Sequence, residues 1–357
     1  MREVAIDLDD IEAISALDKT DMLGVVVAFD RQCREGLEIG RTAELKVDAS
    51  KVANIVVMGM GGSGISGDVS RVLFENELKV PLFVNRHYDL PAFVGPGTLA
   101  VAASYSGNTE ETLSGFNAAL ERGAQVLVVS AGGKISELAA EKDLSLVVIP
   151  GGLQPRAALG YLSVPLAVVL ARLDFVADVG PAMEEAIDLL GREAKRYGPT
   201  VPPADNPAKQ LAIRLFDKMA VVYGSEGITG LAAFRWRCQL NENAKSCGKW
   251  NVLPELDHNE ISGWQELKEL SRRFRLILLR DRDEHPQIKK RFEATRGLIV
   301  DQFDGADEIE SIGESKAARL LSLICLGDFA SIYLALLNGI DPSPVERIES
   351  LKKRLVE

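Results

Sequence analysis

The chain has 357 residues, 46% hydrophobic and 26% charged, the proportions of a globular protein long enough for two domains. This composition excludes collagen-like, coiled-coil and disordered chains, and sparse aromatics (6%) favour a buried parallel sheet over a β-sandwich. Lys+Arg number 41 against Asp+Glu 52, a formal net charge of −11, which excludes a general nucleic-acid surface but not a small anion held by backbone N–H groups.

The first 50 residues read as helical, with Leu23, Val26 and Val27 at helical spacing. Residues 52–58 (VANIVVM) form a β-branched run that ends in a glycine cluster, the pattern of a buried strand feeding a loop. Residues 81–84, 99–103, 125–129 and 146–149 are further strand candidates, with amphipathic stretches between most of them. This alternation predicts a doubly wound α/β domain. Residues 197–207 contain four prolines and read as a linker. The rhythm then resumes, with strands expected at 219–223, 275–279 and 298–301 and helices around 229–246 and 314–338. Residues 320–337 are the longest apolar stretch, but Gly327 and Asp328 in its middle favour a buried helix over a membrane span. A last helix is expected at 345–355, after the helix-start signal Asp341-Pro-Ser-Pro344.

The expected organisation is a helical segment (1–50), two domains with doubly wound parallel sheets (51–200 and 201–340) and a C-terminal helix (341–357). Cys33, Cys238, Cys247 and Cys325 form no CxxC pair and no zinc-finger spacing with histidine, so neither disulfides nor a metal are expected. The acidic opening MREVAIDLDD is unlike a secretory leader, which adds to the expectation of a soluble, cytoplasmic protein without a membrane partner.

Four motifs carry candidate chemistry. GMGGSGISGD (59–68) follows a strand and precedes a helix, where bare backbone and a helix N-terminus suit an anion. It also matches the dinucleotide pattern G-x-G-x-x-G, yet FVNRH (83–87) lacks the acid that would hold ribose hydroxyls. SYSGNTEET (104–112) places Ser104, Ser106 and Thr109 in a second loop of the same kind; an ordinary capping box at Thr109 is the alternative. Neighbouring strands would bring the two loops together at the carboxyl edge of one sheet. QPRAALG (154–160) holds Arg156 beside a proline, either as a surface cation or as a fixed fork aimed at a ligand. NENAK (241–245) and PELDHNE (254–260) supply Glu242 as a candidate base and His258 as a candidate proton carrier.

Together, the glycine and SYSGNTEET loops resemble the phosphate site of sugar isomerase (SIS) domains. NENAK, PELDHNE, QPRAA and the terminal IESLK helix resemble the bifunctional phosphoglucose/phosphomannose isomerases, with the motifs in order from Met58 to Lys352. The resemblance implies two SIS-type domains and interconversion of glucose 6-phosphate, and of mannose 6-phosphate, with fructose 6-phosphate through a cis-enediol. It implies that Gly62, Ser63, Ser104, Ser106 and Thr109 hold the phosphate and that Glu242 moves the proton between C2 and C1. It further implies that His258, reaching from the partner subunit of a homodimer, assists ring opening, that Arg156 stabilises the enediolate and that Lys352 lies near the ring oxygen. Such chemistry needs a carboxylate, an oxyanion stabiliser and an acid–base group, and no cofactor is expected. The rival readings are a non-catalytic sugar-phosphate regulator, which would bind without proton exchange at C2, and a nicotinamide-dependent dehydrogenase, which would bind the cofactor.

Overall fold

The computed structural model describes residues 3–266 and 268–356 and divides into two compact units. The first comprises Ala28–Gly191 with Gly313–Ala318; the second comprises Met1–Val27, Arg192–Ile312 and Arg319–Glu357. The N-terminal 50 residues are thus shared, with Met1–Val27 in the second unit and the rest in the first.

The first unit is built on five parallel strands: β1 (Asn54–Met58), β2 (Leu82–Asn85), β3 (Thr98–Ser104), β4 (Gln125–Ser130) and β5 (Ser145–Val148). Their order is β2-β1-β3-β4-β5. Helices α1 (Gly61–Leu73), α2 (Glu110–Glu121), α3 (Gly133–Glu141) and α4 (Leu159–Arg172) follow β1, β3, β4 and β5. The central strands are buried on both faces, every residue of β3 included, because helices cover a parallel sheet on each side. One core cluster packs Val56, Met58, Ala100 and Ala102 of the sheet against Phe116 and Ile135 of α2 and α3.

The second unit repeats the plan with four parallel strands: β6 (Met219–Ser225), β7 (Gly248–Leu253), β8 (Phe274–Arg280) and β9 (Ala306–Glu310), in the order β7-β6-β8-β9. Helix α5 (Ile228–Glu242) follows β6, α6 (Pro286–Ile299) follows β8, and α7 (Lys316–Leu337) and α8 (Glu346–Val356) complete the chain. Both sheets are parallel and α/β, as the alternating pattern predicts.

The strand expected at 298–301 is not one. These residues end α6 and continue into the short turn Val300–Gln302. Phe292, Thr295 and Ile299 recur at helical spacing on the buried face of α6, whereas Leu298 is 72% exposed. A helical stripe therefore overrides a short apolar run. The fourth strand is instead Ala306–Glu310, an acidic edge whose Asp307 pairs with Arg275 (2.5 Å) and Arg214 (2.7 Å).

Among the described residues, α7 is the one helix long and apolar enough to cross a membrane, and its apolar window lies wholly buried in protein. Asp328, in its middle, accepts from Arg235 (2.6 Å) and Gln239 (3.0 Å) of α5. Burial pushes the Asp328 carboxyl above its ordinary range, and the Arg235 guanidinium and Gln239 amide pull it back.

Candidate active site

In the first sheet the strand order reverses between β1 and β3, and the loops leaving their carboxyl ends are the two glycine- and hydroxyl-bearing motifs. An open α/β sheet binds ligands at this switch point. After β1 the chain turns at Gly61, in the left-handed region at φ +49°, and enters α1 without a side-chain cap. The first helical bond is Gly64 N–H to the Met60 carbonyl (3.1 Å), so the amides of Gly61, Gly62 and Ser63 have no intrahelical partner and suit an anion. Gly62 is required here because a Cβ would stand 2.7 Å from the Pro155 carbonyl oxygen. That proline opens the short turn Pro155–Ala157, which carries Arg156.

After β3 the chain turns at Gly107 (φ +70°), where a Cβ would collide with the Gly132 carbonyl. Ser104 donates from Oγ to Thr109 Oγ1 (3.1 Å). Thr109 is the N-cap residue of α2, but its side chain makes no capping bond; the hydroxyl pair replaces the capping box. Ser63 Oγ accepts from the Tyr105 N–H (3.2 Å) and joins the two loops. Ser63 and Ser104 are buried, Thr109 is half-buried and Ser106 is exposed. The first unit therefore brings Gly62, Ser63, Ser104, Ser106 and Thr109 to one edge, with Arg156 buried in the turn against Gly62.

Sequence reasoning missed Arg86 and Tyr105. Arg86 follows β2, where a dinucleotide site would carry its acid, and forms an ion pair with Asp68 of α1. Its Nε would lie 3.0 Å from a Cβ at Gly64. Tyr105 accepts at its phenol oxygen from Leu153 N–H (2.9 Å). Both links depend on tertiary placement, although an arginine after a strand facing a glycine turn is a usable sequence cue.

The corresponding switch point of the second sheet, between β6 and β8, carries a hydroxyl pair of its own. Ser225 N–H donates to Thr229 Oγ1 (2.8 Å), and the two hydroxyls lie 3.1 Å apart. The candidate chemistry of this unit lies elsewhere, at the far end of α5. There Trp236 donates to the Leu323 carbonyl (2.7 Å) and Asn243 to Ser331 Oγ (2.9 Å), both of α7. Gly327 leaves room for the Trp236 ring. With the Arg235 and Gln239 bonds to Asp328, these contacts fix the end of α5 that presents half-buried Glu242.

Glu242 lines a cleft of about 570 Å³ with Asn241, Lys245, Asp341, Val345 and Ile348. Lys245 Nζ donates to the carbonyls of Asn243 (3.3 Å), Asp341 (3.2 Å) and Pro342 (3.0 Å), tying the NENAK turn to the start of α8. Lys352 and Lys353 are exposed on α8. Lys352 lies about one helical turn beyond Ile348, the last residue of α8 to line the cleft, and is not itself part of that lining.

His258 is not in this cleft. It ends the short helix Glu255–His258, after the carboxyl end of β7, whereas Glu242 lies beside the strand's amino end, where the Asn241 side chain accepts from Gly248 N–H (3.1 Å). Strand β7 spans about 17 Å at 3.3 Å per residue. The neighbours of His258 are committed, Asp257 to Arg291 (2.7 Å) and Thr295 (2.7 Å), and Asn259 to Glu255 (2.8 Å). His258 itself is exposed, and no hydrogen bond or ion pair holds its ring among the described residues.

Residues 49–155 match the SIS domain, and residues 204–355 match the bacterial phospho-glucose isomerase C-terminal SIS domain. A bifunctional phosphoglucose/phosphomannose isomerase of Caldicellulosiruptor bescii is 41% identical, over 94% of this chain and 99% of its own. One from Aquifex aeolicus is 36% identical, over 87% of this chain and 93% of its own. Among solved structures, a glucose-6-phosphate isomerase like protein from Thermus thermophilus superposes with a TM-score of 0.63. It covers 97% of this chain and 99% of its own, and at 19% identity it speaks for the fold alone. Two SIS-type domains and a relative this similar along nearly its whole length decide the matter: the chain belongs to the bifunctional phosphoglucose/phosphomannose isomerase family.

Proposed function

We propose that this chain interconverts glucose 6-phosphate and mannose 6-phosphate with fructose 6-phosphate, through a cis-enediol and without a cofactor. The observation that carries the reading is the convergence of two hydroxyl-bearing turns at the β1/β3 switch point, joined through the Ser63–Tyr105 bond. Unpaired amides at the start of α1, with Ser104, Ser106 and Thr109, suit the dianionic phosphate of a sugar. Binding energy from that remote group orients the sugar without altering it at the reacting carbons.

Glu242 is the base in this reading. Its carboxylate takes the proton from C2 of the open aldose, the C–H electrons form the C1–C2 double bond, and the carbonyl oxygen gains negative charge. Arg156 offsets that charge. Return of the proton to C1, with transfer of the O2 proton to O1, gives the ketose. Lys352 is assigned to the ring oxygen, and His258 exchanges a proton as the ring opens. The separation of His258 from Glu242 along β7 supports its donation by a second copy, in a homodimer. Names of relatives and fold suit a soluble metabolic enzyme, and we assign it to the cytoplasm.

A coupled assay starting from fructose 6-phosphate tests the reading. Both glucose 6-phosphate and mannose 6-phosphate are expected as products. Failure to form either, across pH and temperature, rejects it, and sugar-phosphate binding without exchange at C2 would favour a regulator.

A further inference from the structure

We propose that Tyr105 is a positioning residue that holds the Arg156 turn in register with the phosphate loops; the proposal rests on the role given to Arg156 above. Tyr105 leaves β3 directly after Ser104 and is 6% exposed. Its three polar groups reach three different segments. The N–H donates to Ser63 Oγ (3.2 Å), the carbonyl accepts from Ala131 N–H after β4 (3.2 Å), and the phenol oxygen accepts from Leu153 N–H (2.9 Å).

The third bond bears on Arg156. The chain leading to it, Pro150-Gly-Gly-Leu-Gln154, has no regular structure, and Gly152 lies in the left-handed region at φ +88°. Two glycines leave this segment's path undetermined by its own residues. Upstream, its nearest tie to the sheet is Ile149 N–H to the Ser130 carbonyl (3.0 Å). Downstream, the Arg156 turn closes through Ala157 N–H to the Gln154 carbonyl (2.8 Å), and Gln32 donates to the Ala157 carbonyl (3.0 Å). The turn is therefore pinned beyond Arg156 by Gln32 and before it by the Tyr105 phenol. Burial raises the phenol's pKa, so it remains a neutral, fixed acceptor near neutral pH.

An oxyanion stabiliser acts only at the right distance, and a misplacement of about 1 Å costs up to roughly 100-fold. Tyr105→Phe removes one oxygen and leaves the ring and both backbone bonds in place. We expect kcat to fall about tenfold, while KM for fructose 6-phosphate and inhibition by inorganic phosphate stay within about twofold, because the Ser63 bond uses the backbone. In an Arg156→Ala background the same change should cost nothing further. A melting curve checks that Tyr105→Phe is folded. If Arg156→Ala is impaired but Tyr105→Phe keeps wild-type kcat, the Tyr105 proposal alone fails. Multiplying losses in the double variant overturn it too, since Tyr105 would then act without Arg156. Full turnover by Arg156→Ala removes the role of Arg156 and that of Tyr105 together.

Discussion

Glu242 and His258 lie at opposite ends of strand β7, separated by about 17 Å of extended chain. That placement supports the proposal that a second copy supplies His258 to the site that holds Glu242. Mixing Glu242→Gln with His258→Ala subunits should therefore restore turnover that neither variant has alone. Random exchange makes half of the dimers mixed, each with one intact site, so about a quarter of wild-type activity is expected. No recovery, with subunit exchange verified, would show that the two residues act within one chain or not in the same step.

The Arg235–Asp328 pair is buried, with side chains 1% and 6% exposed. Removing one partner strands the other in a poorly solvated interior. Asp328→Ala should lower unfolding stability by about 3–5 kcal/mol in chemical denaturation, and the apolar pair Arg235→Met with Asp328→Leu should cost less than either single change. Equal losses for single and double variants would contradict the pairing.

Lys245 is exposed, yet its ammonium is engaged by three carbonyls on the NENAK turn and the segment before α8. Lys245→Met should lower hydrogen-exchange protection across α8 by about 1–3 kcal/mol and leave β6 unaffected. Unchanged protection in α8 would show that the helix is held by other contacts.

Ser104 Oγ donates to Thr109 Oγ1, and the Thr109 side chain accepts no capping bond from the start of α2. Their hydroxyls are therefore available to an arriving phosphate without loss of a helix cap. Ser104→Ala should weaken inhibition by inorganic phosphate and raise KM about tenfold, with little change in kcat, the signature of binding shared by ground and transition states. A loss confined to kcat would move Ser104 from the phosphate to the reacting carbons.

Much of this was legible in the chain because parallel strands buried on both faces are continuous apolar runs, as in β1, β3 and β4. The edge strands of the second sheet were not. GKWNVL in β7 and ADEIE in β9 keep a solvated side, and ADEIE is acidic enough to hide from any apolar criterion. The two glycine- and hydroxyl-bearing turns could be read because such residues after a strand have a local cause. The supports of the site had no local signal. Tyr105 meets a residue 48 positions away and Lys245 one 96 positions away, and the distance along β7 between Glu242 and His258 emerges only once GKWNVL is known to be a strand.

The role of Glu242 is tested most directly by hydrogen exchange during turnover. With fructose 6-phosphate in D₂O, the wild-type protein should form aldose 6-phosphates carrying deuterium at C2. Glu242→Gln should slow both product formation and labelling by about 10³-fold or more while inorganic phosphate still binds. Isomerisation at the wild-type rate by that variant would contradict the assignment of the proton transfer to this carboxylate.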